Sequence, residues 1–145
     1  MPAARALFVV LVLVTAAACG TGQPISTSGG RAAVGVQLVG SVFFGSGSTA
    51  PANLEVLVEN RSPAEIVVRH IRVESSGMAT WGIYPAQRTF RETLSPGQVR
   101  AFPMYATAAT TRRSPTEPLT VRAVVQFDSG TERFQEFFSG MVHQD

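Results

Sequence analysis

The sequence has no lysine, one cysteine, two histidines and no amphipathic helical pattern, and each shortage excludes a class of protein. A secreted domain stapled by disulfides needs an even number of cysteines and usually several, so a lone Cys19 excludes that design. A metal centre gathers histidine, cysteine and carboxylate at set spacings. His70 and His143 are far apart in the chain, no such cluster surrounds either, and no metal or cofactor is expected. There is no G-x-S-x-G nucleophile turn, and the Gly45-Ser46-Gly47 stretch lacks the lysine and helix of a phosphate loop. The 12 basic residues are all arginine against 10 acids, a net charge of +2. They are scattered, with only Arg112 and Arg113 adjacent, which is not the gathered basic face that nucleic acid requires.

The one long apolar run opens the chain. Arg5 supplies a positive region, Ala6 to Val14 an unbroken apolar stretch of nine residues, and Thr15 to Ala18 the small residues before a cleavage point. Nine residues fall short of the roughly 20 that span a bilayer, so the segment reads as an export leader and not as a transmembrane helix. The sequence Ala16-Ala17-Ala18-Cys19-Gly20 resembles the lipobox of bacterial lipoproteins, with Ala16 where that family usually has leucine. The resemblance implies that the Cys19 thiol receives a diacylglycerol, that residues 1–18 are removed as a signal peptide, and that the new N-terminus is acylated. Two or three acyl chains hold a protein firmly where one does so marginally, at roughly 0.8 kcal/mol per buried methylene. It further implies an address on the exported side of the cell membrane or outer membrane, with which Gly20 is compatible. Read without the family, Ala16-x-Ala18 is an ordinary cleavage site that leaves Cys19 a free thiol.

Removal of 18 residues from 145 leaves 127, enough for one domain with a real core and too few for two. Residues 20–33, rich in glycine, serine and threonine, read as a flexible tether, so 19–33 comprises the anchor cysteine and linker. From Val34 the apolar period is two. Leu54, Val56 and Val58 alternate with more polar neighbours, as do Val121, Ala123, Val125 and Phe127. Turn clusters punctuate these runs at Gly45–Ser48, Asn60–Pro63, Ser75–Gly77, Ser95–Gly97 and Asp128–Gly130. The pattern predicts an all-β domain with strands near 34–44, 53–60, 65–75, 80–84, 87–93, 97–105, 119–128 and 132–142. The apolar phase changes between Ile66-x-Val68 and Ile71-x-Val73, which predicts a β-bulge near Arg69-His70. A hairpin turn is expected at Asp128-Ser129-Gly130-Thr131.

With Leu54-x-Val56-x-Val58-x-Asn60, Leu94-Ser95-Pro96-Gly97-Gln98 and Val121-x-Ala123-x-Val125-x-Phe127-Asp128, the stretch 34–142 resembles the Ig-like modules of bacterial exported proteins. The resemblance implies an antiparallel β-sandwich of about seven or eight strands and no particular activity. Trp81 has no disulfide to pack on, so the antibody-type Cys…Trp…Cys pattern is absent.

Two segments are candidates for binding. One is the aromatic-rich stretch with Met78, Trp81, Ile83, Tyr84 and Phe90, a set that serves either as core or as an exposed patch. The other is the polar segment Ala106 to Pro118, with Arg112 and Arg113 at its centre, long for a loop between hairpins and within reach of anionic lipid head groups. The candidate surface is therefore Trp81, Tyr84, Arg112 and Arg113, with Cys19 as the lipid site. The expected role is a membrane-anchored protein-interaction module of the cell envelope. Alternatives are a structural accessory subunit of an envelope assembly and, least favoured, an enzyme with a carboxylate site invisible in sequence.

Overall fold

A computed structural model describes residues 30–77, 79–111 and 117–144. Eight strands form: β1 (Ala32–Leu38), β2 (Thr49–Asn60), β3 (Ile66–Ser75), β4 (Trp81–Ile83), β5 (Ala86–Leu94), β6 (Val99–Thr110), β7 (Leu119–Ser129) and β8 (Glu132–Val142). They make two four-stranded sheets, ordered β1-β2-β6-β4 and β5-β3-β7-β8, with every pairing antiparallel. This is an immunoglobulin-like β-sandwich in which the chain passes between the sheets at each connection from β2 to β7. We call the first sheet A and the second sheet B.

The core is what the alternation requires. Val34, Val36, Leu54, Val56, Val58, Phe102 and Met104 of sheet A meet Ile66, Val68, Ile71, Val73, Val121, Val125 and Phe127 of sheet B, all buried. Phe44, from the segment between β1 and β2, closes one end of this core against Trp81. The bulge falls where the phase change places it. The register of β3 against both β5 and β7 shifts between Val68 and His70, and Arg69 and His70 both lie outside the core. The β7–β8 hairpin turns through Gly130 and Thr131, with Ser129 paired to Glu132.

Several boundaries differ from the sequence reading: β1 begins at Ala32, inside the stretch read as tether, β2 begins at Thr49, and the largest differences are at the ends of β1 and β6. β1 ends at Leu38, and residues to Phe44 leave the sheet to cover the end of the core. β6 runs on to Thr110, through small and polar residues that read as loop. Ala106–Thr110 is held as strand because β2 pairs it on one side and β4 on the other.

One buried polar group organises the end of the sandwich where β1 begins. Asn60 is fully buried; its Nδ2 donates to the carbonyls of Ala64 (2.8 Å) and Leu94 (2.9 Å). Its Oδ1 accepts from the amide (2.9 Å) and hydroxyl (2.8 Å) of Ser62. The Asn60 main chain also bonds to Gly97 and Gln98 of the β5–β6 turn. That turn, Ser95-Pro96-Gly97-Gln98, has proline second, glycine third at φ +76° and a Gln98 N–H to Ser95 carbonyl bond of 3.0 Å, the features of a type II turn.

Candidate functional site

Of the four predicted surface residues the structure describes Trp81 and Tyr84, and these two do not share a face. Trp81 is a correction: it is 3% exposed and belongs to the core. Along β4 the side chains alternate, so Trp81 and Ile83 point inward while Gly82 and Tyr84 face out. The indole meets Phe44 edge-on at 6.2 Å, and its Nε1 donates to the Glu117 carbonyl at 2.8 Å. Phe90 is half-buried against Phe102, with ring centroids 5.0 Å apart. Of the described residues in the aromatic segment, only Tyr84, 55% exposed, offers a ring to solvent. Cys19, Met78, Arg112 and Arg113 lie outside the described residues.

Tyr84 stands at one end of a larger surface. The register of sheet A sends Arg100, Phe102 and Met104 to one side and Val99, Ala101, Pro103 and Tyr105 to the other. The second set is exposed, Val99 by 54% and Tyr105 by 69%. Leu57 of β2 lies opposite Ala101, and the Tyr84 amide bonds to the Thr107 carbonyl at 2.9 Å, which places Tyr84 level with Thr107, one outward position beyond Tyr105. The outer face of sheet A thus carries an apolar stripe four residues long on one strand, about 20 Å, capped by two tyrosines. Tyrosine is enriched in interfaces because its ring buries much area at little entropic cost and its hydroxyl still finds a partner. The stripe was not singled out from sequence because both phases of 99–105 are apolar, and periodicity alone does not say which phase faces out.

The edges beside this face are poor templates for strand addition. The Arg88 guanidinium donates to the Pro103 carbonyl (3.2 Å) on the side of β6 away from β2, so the ring nitrogen of Pro103 lies on that same free edge and supplies no donor. On β4, the outward Ile83 amide already donates to the Ser75 hydroxyl at 2.6 Å. The surface on offer is the face, not the edge.

A second concavity, of about 380 Å³, lies beside β4, lined by Ser48, Ser75, Thr80, Tyr84 and Thr110 among others. The Glu117 carboxylate accepts from the Thr80 hydroxyl at 2.6 Å and so fixes the start of the return to β7. This cleft is open and rich in hydroxyls. His70, the residue around which an enzyme reading would centre, is half-buried on the opposite sheet, and its imidazole makes no hydrogen bond among the described residues. Glu74, the acid in the same depression, is held by Arg72 at 2.7 Å. Among the described residues no three metal-ligating side chains gather, and no helix is long and apolar enough to cross a membrane.

No protein-family model matches the chain, and no curated protein matches its sequence. Among solved structures, a FixG-related protein from Vibrio parahaemolyticus aligns with 80% of this chain and 98% of its own, at 11% identity and a TM-score of 0.39. The functional reading therefore rests on this chain's own residues.

Proposed function

We propose that the protein is a lipid-anchored interaction module of the cell envelope, held through Cys19 and docking a protein partner on the outer face of sheet A. The observation that carries the docking reading is the exposed stripe Val99, Ala101, Pro103, Tyr105 with Tyr84. Large apolar side chains aligned on one sheet face cost solubility unless something covers them, and stable interfaces are built on such desolvated centres with aromatic anchors. The acids Glu55 and Glu59 of β2, opposite Pro103 and Val99, border it and give the polar rim such a centre needs. The lipobox-like Ala16-Ala17-Ala18-Cys19 supports the anchor. The role as a space-filling accessory subunit uses the same face and differs only in what the partner does.

The test is co-purification from solubilised envelopes with the wild-type chain and with Ala101→Arg. A long charged side chain at the centre of the stripe would have to be desolvated to keep the contact, and is expected to weaken it by about 2–5 kcal/mol, enough to lose the complex. A partner retained equally by both chains contradicts this docking face.

A further inference from the structure

Sheet B presents the opposite chemistry on its own outer face. Thr89, His70, Gln126 and Gln135 form one row across all four strands. The next row holds Gln87, Arg72, Val124 and Phe137, and beyond it Arg122 lies opposite Glu74. All of these except Thr89 and Phe137, which stand at its margin, line a shallow depression of about 370 Å³. The whole face carries five arginines, Arg69, Arg72, Arg91, Arg122 and Arg133, against two carboxylates, Glu74 and Asp128. Asp128 holds both Arg69 and Arg133, and Glu74 holds Arg72. Arg91 and Arg122 have neither an ion pair nor a hydrogen bond among the described residues, and both are exposed on this one face.

We propose that the outer face of sheet B binds an anionic oligosaccharide, a carboxylate-bearing sugar chain that lies across the Gln126–Gln135 row and sets an acid group on Arg122. The positive excess selects an anion, and a guanidinium free of other partners can take a carboxylate with two parallel hydrogen bonds. Side-chain amides each offer both donor and acceptor, which suits hydroxyls that do the same. Phe137, 51% exposed and next to Gln135 on its strand, gives the apolar face of a sugar ring a place to rest. A protein partner is disfavoured because the depression has no apolar centre: among the described residues half-buried Val124 is the one apolar side chain that lines it, while the exposed Phe137 and Met141 stand on the edge strand β8 and half-buried Val67 lies beyond the bulge. Arg122 is four residues from Gln126 on β7, about 14 Å, so the ligand is a chain of sugars and not a single one.

The experiment is calorimetric titration of the full-length protein in detergent with hexagalacturonate, its fully methyl-esterified form and hexaglutamate as probes. Saturable binding of hexagalacturonate with Kd below about 1 mM is expected. Arg122→Gln and Gln126→Ala, both exposed and foldable, are expected to weaken it by roughly tenfold and threefold at an unchanged thermal midpoint. The methyl ester is expected to bind more weakly, while Tyr105→Ser, on the other sheet, leaves binding as it was; failure of the sheet A reading therefore does not touch this result. No saturable heat, equal affinity for hexaglutamate or for the methyl ester, or undiminished binding by Arg122→Gln overturns the proposal.

Discussion

Asn60 and Gly82 are the two positions where one atom decides the local structure. Every polar atom of the Asn60 side chain is used, in bonds to Ser62, Ala64 and Leu94, so no substitute reproduces the set. Asn60→Ala leaves buried donors and acceptors without partners and is expected to lower stability by about 2–4 kcal/mol in urea unfolding. A loss of less than about 0.5 kcal/mol would place the weight of that end elsewhere. At Gly82 a Cβ would lie 2.6 Å from the Ser75 hydroxyl, the group that accepts from the Ile83 amide. Gly82→Ala is expected to displace that hydroxyl and cost about 1–2 kcal/mol. Adding Ser75→Ala should then cost little more, and strict additivity in the double mutant would contradict a shared contact. At this scale the sequence is only partly legible. Asn60 is visible as a turn residue, but its burial depends on the β5–β6 turn, 35 positions on, closing over it. Trp81 and Tyr84 are separable in principle, since their odd spacing puts them on opposite faces of any strand, whereas composition alone groups them as one aromatic patch.

At the scale of the strand, β3 and β6 show what alternation can and cannot convey. In β3 the break in phase at Arg69-His70 has one simple geometric solution, and the register shift sits there. In β6 both phases are apolar, and the stretch after Tyr105 is made of alanine and threonine, so neither its outward face nor its length is written in its own residues. Both depend on β2 and β4, its neighbours. Pro103 protects the exposed edge of this strand by removing a donor where the face is most apolar. Pro103→Val restores that donor and raises β propensity. It is expected to increase self-association with concentration, read by light scattering against the wild-type chain. An identical oligomeric profile for the two would show that the edge is protected by other means.

The molecule as a whole has two unlike faces and two unlike ends. Sheet A offers an apolar stripe and sheet B a polar, positive depression, so the two proposed ligands would occupy opposite faces and would not compete. The described chain begins beside Glu136 and Glu132, at the end shared with Asn60, while Thr111 and Glu117 lie at the far end beside Trp81. β2, with 12 residues, spans about 40 Å between these ends. In the anchored reading, a flexible chain of the length from Cys19 to Arg31 would reach about 20 Å on average and about 40 Å when fully drawn out. Both faces of the sandwich are then accessible. Cys19→Ser is expected to move the protein from the membrane to the soluble fraction on centrifugation; unchanged fractionation would contradict the anchor. The sandwich, its strand count and the bulge were readable from period and turns, because these are local. The binding faces were not, because a face exists only after two or more strands pair.

Site-specific photo-crosslinking in living cells tests the docking face most directly. Probes at Tyr105 and Ala101 are expected to give one and the same discrete adduct, while a probe at Thr49, on the same sheet but off the stripe, gives none. No adduct from either stripe position, or an equal adduct from all three, would contradict a partner seated on β6.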